Sequence, residues 1–186
     1  MLNKEHVAVL DACVLAPMPL CDTLLRCAEE PALLFRALWS NETLDEVYRT
    51  LVKFGFSHAQ AEHRLREMKK SFPNACVQTL ATLLDAVPQI PDPGDRHVVA
   101  AAICEHAQAI VTLNLRHFPR KILEPLGICV YSPDEFLVRL FRRNPEEILE
   151  VLDRQASAIG QQRLSVLERL KVRLPEFVAL VSKSTS

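Results

Sequence analysis

The 186 residues suffice for one domain with a substantial core, or for one domain with an appendage. Hydrophobic residues make up 49% and charged residues 24%, with a formal net charge of −1, which excludes a disordered chain and a uniformly basic nucleic-acid coat. No apolar run reaches the ~18 residues of a membrane helix, and the leading "MLNKEHVAVL" carries no signal-peptide pattern, so a cytoplasmic protein without a membrane segment is expected.

In chain order, "HVAVL" (6–10) reads as a buried strand that ends abruptly at Asp11. Leu20, Leu24 and Leu25 share a helical face, while "ALLFRALWS" (32–40) fits a helix or a short strand. Ser40 or Asn41 is a candidate N-cap, because Leu44, Val47, Tyr48, Leu51 and Phe54 then repeat at helical spacing until Gly55. Ser57 with Gln60 predicts a capping box opening a charged helix through about Phe72, so the two helices form a hairpin.

"CVQTL" (76–80) is expected as a strand and "TLLDAV" (82–87) as a short helix. Helix 95–107 follows with Val98, Val99, Ala102 and Ile103 on one stripe, then strands "AIVTL" (109–113) and "GICVY" (127–131). Ser132-Pro133-Asp134-Glu135 starts a helix, Asn144-Pro145-Glu146-Glu147 repeats those signals, and everything onward reads helical to a frayed "SKSTS" tail. Apolar strands alternating with helices predict an α/β fold with a mainly parallel central sheet, helices on both faces and a helical C-terminal extension. The six cysteines fit no zinc-type spacing and mostly sit in apolar segments, which suits reduced thiols.

Carboxylates stand where such a sheet would bind a ligand, beyond the carboxyl ends of its strands. Asp11 ends a buried strand, which is costly unless the group is paired, hydrogen-bonded or metal-bound. "IPDPGDRHVVAAAI" (90–103) sets Asp92 and Asp95 at the mouth of an apolar helix, where they fit a turn and a helix N-terminus as well as a site. By periodicity Glu46 falls on a solvated face.

Four segments, "VAVLDACVL", "LWSNETLDEVYRTL", "DPGDRHVVAAAI" and "IVTLNLRHFP", occur in an order that resembles the PIN-domain ribonucleases, and among them the VapC-like toxins of toxin–antitoxin pairs. The resemblance implies a PIN-like three-layer α/β/α nuclease domain over residues 1–137, with 138–186 as the extension found in a longer subgroup. It implies that Asp11, Glu46 and Asp95 are catalytic and hold Mg²⁺ or Mn²⁺, and that Asp92 is the turn residue. It further implies an RNA substrate, a VapB-like antitoxin and a homodimer. The family usually shows a fourth acid where this chain offers Asn114 and His117, and many members have asparagine or serine in place of Cys13.

Phosphodiester hydrolysis needs an activated water and a stabilised leaving oxygen beside a polyanion, which carboxylate-held divalent ions supply. Thr112, Asn114 and His117 are candidates for the rim of the site, each with a plain structural alternative as strand end, turn cap or packing residue. Arg116, Arg120 and Lys121 in "RHFPRK" are the best-placed RNA contacts, ahead of Arg64, Arg66, Lys69 and Lys70 and of "RLFRR" (139–143). Two rival readings arise. One is a PIN domain with an impaired site that only binds RNA or protein. The other is a haloacid-dehalogenase-type phosphatase, set aside because position 13 is cysteine and not the aspartate that chemistry needs.

Overall fold

A computed structural model describes residues 6–78 and 81–184. Its strands are β1 (Val7–Leu10), β2 (Arg36–Ser40), β3 (Cys76–Val77), β4 (Ala109–Val111) and β5 (Cys129–Tyr131). They form one sheet in the order β3-β2-β1-β4-β5, with every neighbouring pair parallel. Side chains alternate faces as a two-residue period demands. Ala8, Leu10, Ala37, Trp39 and Val111 enter one core, and Val7, Val9, Leu38 and Ile110 enter the other.

Helices cover both faces. The first core takes α1 (Ala12–Leu15), α2 (Leu20–Ala28), α3 (Asn41–Lys53) and α4 (His58–Ser71). The second takes residues from α5 (Ala81–Ala86), α6 (Arg96–Cys104) and α7 (Arg120–Leu123). The C-terminal helices α8 (Pro133–Arg143), α9 (Pro145–Ala158), α10 (Arg163–Leu170) and α11 (Pro175–Ser184) join the first core. The fold is a three-layer α/β/α sandwich with a helical C-terminal region, as expected.

Local chemistry explains the elements. Ser40, not Asn41, caps α3 by accepting the Thr43 N–H at 3.0 Å. Both capping boxes are present, Ser57 with Gln60 and Ser132 with Glu135. Asn144 makes no side-chain cap for α9; its amide instead donates to the Leu140 carbonyl at the end of α8. Gly55, at φ +92, follows the end of α3 in a conformation that favours glycine.

Several boundaries differ from the sequence reading. The 32–40 ambiguity resolves as strand from Arg36. β3 spans only Cys76–Val77, and residues 79–80 of the expected strand lie outside the described residues. The strand expected over 109–113 stops at Val111, where the Leu113 N–H leaves the ladder for the Cys13 sulfur. β5 starts at Cys129 because Gly127, at φ +76, closes a preceding turn. α6 begins after a 3₁₀ turn over Pro93–Asp95 and ends at Cys104, ahead of His106 at φ +50. Phe54 is not on the buried stripe. It follows the last turn of α3 and is 58% exposed. The frayed tail expected from residue 182 is helical to Ser184, and residues 185–186 lie outside the described residues.

Candidate active site

Chain order reverses beside β1: the connection to β2 goes to one side, and β4 and β5 fill the other. That switch point opens a crevice at the carboxyl ends of β1 and β4. Asp11 and Thr112 are the residues that immediately follow those two strands. The Thr112 hydroxyl donates to Asp11 Oδ2 at 2.7 Å and accepts the Asn114 N–H at 2.9 Å. The Cys13 thiol donates to the same Oδ2 at 3.1 Å, while its sulfur accepts the Leu113 N–H. Burial pushes the Cys13 thiol up to about 12, and the Asp11 charge adds to the rise. The thiol therefore keeps its proton and remains a donor. Asp11, only 3% exposed, is buried with its donors in place.

The turn before α6 separates the roles of its two aspartates. Asp92 Oδ1 accepts the Gly94 N–H at 2.8 Å and caps the 3₁₀ turn. Asp95 makes no cap bond, and its Oδ2 pairs with His117 Nδ1 at 2.8 Å. Asp92, Asp95 and His117 offer ligand atoms within 4.8 Å of one another. Burial raises the Asp95 carboxyl above its ordinary value; the His117 hydrogen bond opposes this, and the Asp11 and Asp92 charges reinforce it.

Glu46 is half-buried, not on a solvated face. His97 of α6 holds its Oε1 at 3.1 Å, and the other imidazole nitrogen lies 2.8 Å from the Ser40 hydroxyl. Because a carboxylate can only accept, Nε2 carries the hydrogen that it donates to Glu46. The N-cap of α3 is thus joined through a buried imidazole to an acid about one and two-thirds turns along the same helix.

Asp11, Glu46, Asp95, Asn114, Phe54 and Arg173 all line one cleft of about 310 Å³. Each of the three acids gives one oxygen to a protein partner, and among the described residues its other oxygen takes no hydrogen bond. Thr112 and His117 stand behind the cleft as partners of Asp11 and Asp95. The basic candidates do not converge on it. Arg116 and Lys121 are exposed, and Arg120 pairs with Glu135 at 3.3 Å in a separate groove of about 510 Å³ shared with Arg139, Arg142 and Arg143. Arg64, read as part of a charged surface, instead donates to the carbonyls of Leu15 and Ala16 at 2.7 and 2.9 Å.

The family model of the PIN domain matches residues 7–116. The chain belongs to the PIN-domain family. The match takes in Asp11, Glu46, Asp95, Thr112 and Asn114 and ends short of His117 and of α8–α11. "Putative ribonuclease VapC50" of Mycobacterium tuberculosis is 38% identical over 88 residues, 46% of this chain and 52% of that protein. The chain thus spans about half the length of the curated relative it matches. No solved structure matches it.

In this PIN domain the donor set fits a hard divalent cation. The available ligands are carboxylate oxygens, and one of the acids is held above its ordinary pKa partly by its negative neighbours. His97 and Arg173 were missed in the sequence. His97 had a faint signal, an imidazole two residues past an acid in a helix otherwise built for burial. Arg173 had none, since only tertiary packing brings it to the cleft.

Proposed function

We propose that this protein is a divalent-metal-dependent endoribonuclease and the toxin of a VapBC-type pair. One observation carries the reading: three carboxylates from β1, α3 and the turn before α6 meet in one cleft at the switch point, each fixed through one oxygen only. Asp11, Glu46 and Asp95 would hold Mg²⁺ or Mn²⁺, which when bound supplies a nucleophilic water and stabilises the leaving oxygen. Thr112 and Cys13 orient Asp11, His97 orients Glu46, and His117 orients Asp95. Fixing these rotamers before substrate arrives lowers the reorganisation needed at the moment of reaction. An RNA substrate, a small antitoxin that covers the acidic cleft, and a homodimer complete the proposal, with Arg116, Arg120 and Lys121 available to RNA outside the cleft.

Incubation of the purified protein with RNA and Mg²⁺ or Mn²⁺ tests it, with EDTA and Asp11→Asn as controls. The expected result is cleavage by wild type with either ion and none in the controls. A folded wild type inert with both ions would sink the nuclease reading. It would favour the alternative of a PIN domain that binds RNA or protein without cutting, to which the absent fourth acid at Asn114 and His117 lends support. Restored growth on co-expression with the neighbouring open reading frame tests the toxin–antitoxin part separately.

A further inference from the structure

The acidic cleft has one wall outside the matched family region. It comes from the turn 171–174 between α10 and α11, and it contributes Arg173. Among the described residues that line the cleft, Arg173 is the single cation.

The turn is held firmly. Leu170 and Leu174 on either side are buried, and the N–H groups of Arg173 and Leu174 both donate to the Leu170 carbonyl at 2.9 Å. The start of α11 is pinned in turn by Asp134 of α8, whose carboxylate accepts the N–H groups of Glu176 at 3.1 Å and Phe177 at 2.8 Å. Phe177 meets Phe141 edge to face. Between these anchors Lys171, Val172 and Arg173 stand exposed, Val172 at 90%. Among the described residues no hydrogen bond or ion pair engages the Arg173 side chain, although three acids share its cleft. Among the described residues Arg116 and Arg142 are likewise without an ion pair, and what sets Arg173 apart is its place in the acidic cleft.

A guanidinium offers donors in a planar fork that matches two phosphate oxygens. Beside a carboxylate set that would otherwise repel a polyanion, an uncommitted arginine has an evident ligand. We propose that Arg173 contacts the scissile phosphate of RNA from the α10–α11 wall, so that the C-terminal helices complete the site in cis. This rests on the nuclease reading given above.

The test compares wild type with Arg173→Ala, Arg173→Gln, Arg173→Lys and, as a control in the same turn, Lys171→Ala. Cleavage of one defined RNA is followed with Mg²⁺ and with Mn²⁺, and RNA binding is followed in EDTA over a salt series. Expected is a loss in kcat/KM on the order of 10²-fold for Arg173→Ala and Arg173→Gln. Partial recovery is expected in Arg173→Lys and wild-type rates in Lys171→Ala. The slope of log affinity against log salt should fall by about 0.7 when the charge is removed, a readout that a purely structural role would not move. Thermal stability should stay unchanged because Arg173 is exposed; should the alanine variant misfold, the glutamine variant decides. Equal cleavage and equal salt slopes in wild type and the neutral variants overturn the proposal while the nuclease reading stands. A folded wild type that cuts no RNA with either ion removes both.

Discussion

Asp95 sits in an environment that disfavours its own charge. Its carboxyl is raised by burial and by the Asp11 and Asp92 charges, against the His117 hydrogen bond. A carboxyl raised in this way binds a proton more readily in the folded chain than in the unfolded one. Its contribution to stability is therefore fully present below the ordinary carboxylate range, about 3.9, and is lost as pH rises through the raised value. In EDTA, Asp95→Asn should melt above wild type at neutral pH, and the advantage should shrink as pH falls through the raised value and vanish below the ordinary carboxylate range. The same variant should abolish RNA cleavage. Thermal melts across pH beside a cleavage assay check both parts, and a lower neutral-pH Tm would mean the His117 pairing outweighs the charge penalty. Asp11 and Asp95 were legible as site candidates because an acid ending a buried strand and an acid opening an apolar helix both need a reason. Glu46 was named only through the family resemblance, because a helical wheel orders residues against their own helix and says nothing of His97 arriving from α6. The sorting of Asp92 as turn residue and Asp95 as site residue likewise came from the resemblance, since the turn's own pattern offered both carboxylates to the Gly94 N–H that Asp92 takes.

Among elements, α4 shows how a surface charge becomes a structural joint. Arg64 ties α4 to the last carbonyls of α1, the short helix that directly follows Asp11. Arg64→Ala removes two charge-assisted bonds and should cost about 1–3 kcal/mol, with a fall in cleavage as the Asp11 loop loosens. Arg66→Ala breaks only an exposed 4.0 Å pair with Glu62 and should stay within about 0.5 kcal/mol. Urea denaturation of both variants separates them, and equal midpoints would deny the joint any energetic weight. Helix starts were legible wherever a side chain supplies the missing acceptor, as Ser57 and Ser132 do. Strand ends were not, because β4 stops where a backbone N–H meets the sulfur of Cys13, a partner far away in sequence.

For the whole molecule, alternating apolar strands and helices announced the fold class, but no one-dimensional pattern states which strands are neighbours. The switch point beside β1, and with it the place of the cleft, became visible only in three dimensions. Residues 138–186 are proposed as an extension to a nuclease domain at 1–137, yet one core spans both. Val166, Leu170, Leu174, Phe177 and Val181 pack in the cluster that holds Ala8 and Leu10. A chain ended after Ala158 should therefore be insoluble, or soluble with dye-binding apolar surface and no cooperative melt. A fragment that melts cooperatively at the full-length temperature would show the last two helices to be dispensable.

The position of Arg173 also has a meaning in time. Translation runs from the amino end, and domains begin to fold while the chain is still being made. Asp11, Glu46 and Asp95 are made long before the turn between α10 and α11, and that turn reaches the cleft only once α11 has docked against α8. A chain still joined to the ribosome therefore acquires its acids first and its arginine later. With Arg173 as the phosphate contact, a growing chain would hold its acids before it holds its grip on phosphate.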